Sequence, residues 1–408
     1  MIRPERRTRG DLYAAAAIAA VVVLIIGFFW WRSSARATDY RPAADPAPAT
    51  TKAEAVPGAL TQRWTAASTR TPTPVVLGGV VVTGDGSTVA GVDPQSGAQL
   101  WSYARDTPLC GVSHVYDLVV AVYPDRRGCG QVTGLRAGTG QRGPTRTSYA
   151  DNVVALSSDG NAVLSAGATR LELWRSDLVR MLSYGEIDAP VKPANTKLGA
   201  GCTLMSASAS ESAVGVLEAC RDQQDLRLTV LKPAKEEDEP ETKHVPLPGV
   251  AIDSDARVLA VAGTRTAVYL PTPRPRVVVY DETGTEVSST DLRTPPAPGT
   301  ATPAVTRAGD MITWWTGTAV LVFDNTLDYR YTLDATGPLA PLGPATMMSG
   351  RLLVPVAEGL AVYDPAGGTP ERVIPLTHPD GTGPVLPAVS GTMVIEQRGG
   401  AMAGFGPA

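Results

Sequence analysis

A short pattern that returns along the whole chain limits the fold more than any other feature. "VAGVDPQSG" starts at Val89 and runs on through "AQLW" to Trp101. Weaker copies follow: "VTGLRAGTG" at Val132, "LELWRSDL" at Leu171, "LTVLKP" at Leu228 and "VVVYDETGTEV" at Val277. "VLVFDNTLDY" at Val320, "LAVYDPAGG" at Leu360 and "MAGFGPA" at Met402 complete the series. The residues opening each turn are Asp93, Arg136, Arg175, Lys232, Asp281, Asp324, Asp364 and Gly406. A period of about 44 residues is that of four-stranded propeller blades.

Each copy has the same grammar. A short apolar run such as "VVLGGVVVTGDG" supplies two strands joined at Gly or a polar turn. A third strand ends at a polar residue, and in the fuller copies Thr or Ser and then Gly follow it. Asp and Thr bond the turn backbone, and Gly takes the positive-φ position. A fourth strand such as "AQLWSYA" closes the unit. Strict alternation is rare, as expected for strands buried on both faces between stacked sheets. The 41 Gly and 35 Pro of the 408 residues suit short elements with tight connections.

The ends of the series point to a ring. Past Asp364 come "VLPAVSG", "TMVIEQRGG" and "AMAGFGPA", three strands without a fourth. Ahead of the first copy stands an orphan, "LTQRWTAAS", at Leu60 to Ser68, which resembles a fourth strand. Pairing it with the C-terminal three closes the ring and removes an exposed edge. The expected fold is all-β: an eight-bladed β-propeller over 60–408 closed by an N-terminal strand, with seven blades as the alternative.

With those residues in view, "VAGVDPQSGAQLW" resembles the repeat of PQQ-like (quinoprotein-like) β-propellers. Asp93, Ser96, Gly97 and Trp101 stand at the recurrent positions, and the match thins to Asp281, Thr283 and Gly284, then Asp364 and Gly367. The chain as a whole resembles membrane-anchored, non-enzymatic PQQ-like propellers of actinobacterial envelopes. It is more distantly similar to the propeller lipoprotein of the outer-membrane β-barrel assembly machine. Only the first unit is a full match, because Trp is absent from most docking positions, and blade boundaries in 150–250 stay open.

Ahead of the repeats, Leu12 to Trp31 is an uncharged run of 20 residues. At about 1.5 Å per residue it matches a hydrocarbon core of about 30 Å. Arg3, Arg6, Arg7 and Arg9 precede it, which places residues 1–11 in the cytoplasm. Phe28, Phe29, Trp30 and Trp31 form an aromatic belt at the far interface. A cleaved signal peptide is the competing reading, since Ala35-Arg36-Ala37 resembles a cleavage site. The length and bulky end of the run favour a retained, single-pass anchor. No Cys follows it, so nothing resembles a lipoprotein site. Residues 32–59, rich in Ala, Pro and Thr, read as a flexible tether to the extracytoplasmic propeller.

Charge excludes one class of partner. Residues 1–41 carry seven Arg and three acids, a net of +4, so the remainder carries about −8 of the total −4. An acidic exported domain is a poor match for phosphate backbones. The four cysteines, Cys110, Cys129, Cys202 and Cys220, lie past the apolar run in what would be an oxidising compartment. Of three possible pairings, the near-equal spacings and the blade frame favour Cys110–Cys129 and Cys202–Cys220.

The remaining motifs carry little chemistry. His114, His244 and His378 are scattered in sequence, with no metal-binding spacing. "GTGQRG", Gly138 to Gly143, matches G-x-G-x-x-G but sits at an expected hairpin and offers no helix N-terminus. "KEEDEPETK", Lys235 to Lys243, reads as a solvated acidic insertion, or else as a docking loop for a basic partner. Trp314 and Trp315, neighbours on a strand, point to opposite faces. They are either buried between blades or, where one reaches a rim, candidate binding anchors. No adjacent cysteines and no carboxylate cluster with Asn are present to hold a quinone with Ca²⁺.

The expectation is therefore a membrane protein without catalytic residue, cofactor or metal. It acts as a protein-binding scaffold or accessory subunit for envelope membrane proteins in assembly, division or transport. The alternative is a binder of an envelope lipid or glycolipid in the funnel, and behind it a quinoprotein dehydrogenase. The sequence leaves oligomeric state open.

Overall fold

The computed structural model describes residues 8–31, 36–187, 190–195, 197–221, 223–297 and 304–408. Arg3, Arg6, Arg7 and Ala35, named above, lie outside that set. Eight four-stranded antiparallel sheets follow one another around a ring. Blades 1 to 7 occupy 75–104, 111–147, 155–185, 202–251, 257–291, 304–333 and 346–375. Blade 8 combines 385–407 with Leu60–Ala67, which pairs antiparallel with Ala401–Pro407. The orphan strand thus closes the ring in the place its sequence indicated.

In every blade the first strand is innermost, and all eight first strands line an axial channel. The hairpins after the first and third strands share one face, here the turn face. The hairpins after the second strands and the connections between blades share the other, the loop face. Val80, Val81 and Val82 are all fully buried, which accounts for strands that do not alternate: both faces of each sheet meet another sheet. Burying a Val fully is worth about 1.5–3 kcal/mol, so such runs bind each blade to both neighbours.

The repeat motif makes the turns and the joints. Asp93 Oδ1 accepts the N–H groups of Gln95 and Ser96, at 3.0 and 2.8 Å, and the Ser96 hydroxyl at 2.8 Å. Asp281 and Asp324 hold their turns in the same way through Thr283 and Thr326. The distal Trp reaches across to the next blade. Trp64 Nε1 donates to the Pro94 carbonyl at 2.8 Å, and Trp101 Nε1 to that of Ala137 at 2.7 Å. Each indole covers a turn glycine of the neighbouring blade. A Cβ on Gly97 or Gly140, both at positive φ, would lie 2.6 Å from Cγ of Trp64 or Trp101.

Most blades lack that Trp, and other side chains take over its contact. Arg146 donates to the Leu178 carbonyl at 2.7 Å, and Tyr331 donates to that of Pro365 at 2.7 Å. Val245 fills the equivalent space over Gly284.

Outside the ring, Arg9–Trp31 forms one helix with no buried residue, long and apolar enough to cross a membrane. The Pro-rich stretch that follows is extended and runs against the propeller. Its first part, Asp39–Arg41, adds a fifth strand to the outer edge of blade 1.

Candidate functional site

Among the described residues, concave space lies along the axial channel and on the circumference around blades 2 to 4. The channel has a volume of about 720 Å³. Its wall is mostly small and apolar: Val75, Val76, Leu156, Val258, Met347 and Leu386 represent five of the blades. Ser113, Ser157, Ser208 and Thr306 supply hydroxyls. Three ionisable groups reach it, His114, Asp159 and Arg307. Burial pulls the His114 pKa below the usual imidazole value and the Asp159 charge offsets this only partly, so the ring is neutral at pH 7. Arg307 is exposed there and donates to the Val261 carbonyl at 3.0 Å.

A quinone held with Ca²⁺ needs six to eight oxygen ligands, several of them carboxylates. Asp159 is the one carboxylate among the described lining residues, and its Oδ1 already accepts two backbone N–H groups. The donor set does not fit that cofactor.

On the circumference, a groove of about 540 Å³ lies along the outer strands of blades 2 and 3. Beneath it, the buried Glu172 accepts from Trp174 Nε1 at 2.7 Å and pairs with Arg146 and Arg180, each at 3.0 Å. Arg180 also pairs with Glu237 of the acidic insertion. Expected as a solvated loop, that insertion is docked. Asp238 is buried and accepts from the Val191 N–H and the Asn195 side chain, and Lys192 pairs with Glu236. The Ser183 N–H donates to the Glu237 carbonyl at 2.6 Å, which covers the free edge of blade 3.

A second buried network centres on Glu218 in blade 4. It accepts from the Tyr184 hydroxyl at 2.9 Å, Arg227 Nε at 2.8 Å and the Thr229 hydroxyl. Burial, then the Glu218 charge, push the Tyr184 hydroxyl pKa far above its ordinary value. Glu218 also lies beside Cys202 and Cys220, whose sulfurs come within metal-ligand range of its carboxylate. Both sulfurs are tied up in a disulfide, and a metal ligand requires the thiolate.

The sequence candidates fall as follows. Cys110–Cys129 and Cys202–Cys220 are both bridged, with Cα separations of 6.0 and 4.0 Å. Trp314 is buried against Tyr269 of blade 5, with ring centroids 5.7 Å apart. Trp315 faces blade 7 and donates to the Pro341 carbonyl at 2.9 Å. Trp314 belongs to the joint of blades 5 and 6, and Trp315, at the loop-face end of its strand, is half-buried in the joint of blades 6 and 7. The histidines stay apart: His114 lines the channel, His244 contacts Thr229, and His378 bridges Glu396 and Val356. Gly138 to Gly143 forms the third hairpin of blade 2, where Gly140 lies under Trp101. The Arg146–Glu172–Arg180 network was not found from sequence. Its members lie 26 and 8 residues apart on strands of two blades, so only the ring brings them together.

No protein-family profile matches the chain, and no curated protein matches it. Solved structures do. BamB from Moraxella catarrhalis aligns over 85% of this chain and 99% of its own, at 14% identity and a TM-score of 0.50. The computationally designed Ika8 protein aligns over 88% of this chain and 99% of its own, at 14% identity and 0.47. The dihydro-heme d1 dehydrogenase NirN aligns over 86% and 76%, at 14% identity and 0.48. The likeness to BamB supports the β-propeller fold.

Proposed function

We propose that this protein is a membrane-anchored, extracytoplasmic propeller of the non-enzymatic PQQ-like kind. On this reading it binds envelope proteins as a scaffold or accessory subunit in assembly, division or transport. One observation carries it: three buried ionic networks are engaged in joining neighbouring blades. Glu172, Arg146 and Arg180 join blades 2 and 3, Glu218 joins blade 4 to Tyr184 of blade 3, and His378 with Glu396 joins blades 7 and 8. A rigid disc so built offers broad faces for partners and needs no chemistry of its own. The apolar helix Arg9–Trp31 suits an anchor that confines such a disc to the membrane plane and raises its effective concentration there. The BamB likeness agrees with this reading at the level of fold.

A second reading attaches to the channel, whose largely apolar lining suits the acyl or prenyl part of an envelope lipid. Crosslinking in intact cells separates the two. The tagged chain is purified with its own helix and with an unrelated transmembrane helix. Recovery of the same few envelope proteins from both is expected of a scaffold. If no protein comes with either, while a lipid co-purifies stoichiometrically, the scaffold reading falls and the channel reading replaces it.

A further inference from the structure

The stretch read as a free tether from residue 32 to residue 59 is fastened to the propeller for most of its length. Asp39, Tyr40 and Arg41 pair antiparallel with Ala104, Tyr103 and Ser102 on the outer edge of blade 1. The rings of Tyr40 and Tyr103 meet edge to face at 6.2 Å, and the Arg142 N–H donates to the Tyr40 hydroxyl at 3.3 Å. The chain then crosses the turn face. Ala43 and Ala47 donate their N–H groups to the carbonyls of Thr139 and Gly138, at 2.9 and 2.8 Å. The Pro48 carbonyl lies so close over Gly79 that a Cβ there would be 2.4 Å away. The Thr51 carbonyl covers Gly391 in the first hairpin of blade 8. Ser349 donates to the Ala53 carbonyl at 2.7 Å, and Arg372 to that of Val56 at 2.9 Å, both from blade 7. Ala43 and Ala47 pack on the core shared by blades 1 and 2, and Ala53 and Val56 on that of blades 7 and 8.

From these contacts we infer that residues 39–57 are a strap that fixes how the propeller stands on the membrane, with the outer edge of blade 1 toward the bilayer. The inference rests on the reading of Arg9–Trp31 as a retained anchor. Chain length sets the geometry. From Trp31 to Leu60 a free chain could extend to about 100 Å, at about 3.3–3.6 Å per residue. With the strap seated, only the steps from Trp31 to Asp39 remain, at most about 29 Å. Four strands spaced by about 4.8 Å make each blade about 14 Å deep, so the edge of blade 5, opposite blade 1, lies more than about 30 Å farther off. The leash cannot reach around to bring blade 5 to the surface. The strap also covers the inner turns of blades 1, 8 and 7. Partners in the envelope therefore meet the outer edges of blades 3 to 6.

Energy transfer in vesicles tests this on the full chain. A donor dye is placed at Gln99→Cys on blade 1 or Ser289→Cys on blade 5, both exposed, with an acceptor on the lipid headgroups. Transfer severalfold higher from position 99 is expected, and the difference should collapse when 39–57 is replaced by Gly and Ser of equal length. Equal transfer from both positions, in protein that still floats with the vesicles, overturns the strap. Failure to float, with a mass that begins after the apolar run, overturns the anchor reading beneath it. If the replaced chain does not fold, the Asp39→Cys/Ala104→Cys pair decides. A spontaneous disulfide that leaves the transfer difference unchanged supports the strap, and no disulfide under oxidising conditions overturns it.

Discussion

His378 is held at both ring nitrogens by acceptors. Nδ1 lies 2.8 Å from Glu396 Oε2 and Nε2 lies 2.7 Å from the Val356 carbonyl. A neutral imidazole has one N–H and satisfies one of them, whereas the imidazolium donates to both. Burial alone would lower the His378 pKa. The hydrogen bond and charge of Glu396, with the Val356 carbonyl, outweigh it and hold the value above 6.5. Since the folded value exceeds the unfolded one, the stabilisation is complete below about pH 6.5 and is lost as pH rises through the folded value. The urea midpoint of the native chain should therefore fall, relative to that of His378→Asn, as pH goes from 6 to 9. A gap between the two midpoints that stays constant would show that the ring does not change charge in this range. The sequence showed only a lone histidine far from the other two, because its partners sit on different strands of two blades.

At the level of the blade, the joint is a donor on the fourth strand reaching a carbonyl in the next blade's third hairpin. Trp101 makes the full version, and its indole also packs on Gly140. Trp101→Ala removes the bond and the packing together and should cost about 3–5 kcal/mol. Trp101→Phe keeps most of the packing and loses the donor, so its cost should be near the 1–3 kcal/mol of an orphaned buried group. Chemical denaturation measures both: no loss in Trp101→Phe would mean the hydrogen bond is irrelevant, and equal losses would mean the packing adds nothing to it. This joint explains how far the sequence could be read. The turn aspartates were legible because each is written within one hairpin, and the period and the closing strand because short stretches of sequence resemble one another along the chain. Arg146 and Tyr331 were not, since a search for Trp cannot see that a guanidinium or a phenol makes the same reach. The insertion at Lys235 to Lys243 was misread for a related reason. A run of acids looks solvated until the fold brings up Arg180 and Lys192, more than 40 residues earlier in the chain.

For the molecule as a whole, closure depends on Leu60–Ala67 joining blade 8 to blade 1. Trp64 crosses to the Pro94 carbonyl, and beside it Gln397 Nε2 donates to the Ser68 and Thr71 carbonyls at 3.4 and 2.8 Å. The Thr71 hydroxyl returns a bond to Gln397 Oε1 at 3.0 Å, so this seam carries a buried polar clasp in addition to the stacked indole. Because the strand comes from before blade 1, blade 8 is completed by pairing alone, where each of the other seven blades is a continuous stretch of chain. Replacing 60–67 with Gly and Ser of equal length removes the pairing partner of Ala401–Pro407 and opens a row of unpaired backbone groups. It also uncovers Ile395 and Met402, which pack against Trp64 in the native ring. The altered chain should expand and associate through the open edge. Light scattering and small-angle X-ray scattering on detergent-solubilised protein would register both changes. A monomer of native size would mean that the other joints hold the circle shut unaided. The strap on blades 1, 8 and 7 spans this same seam, so replacing 39–57 should weaken closure in the same direction, by a smaller amount. If that second replacement opened the ring as fully as the first, the strap would count as part of the clasp.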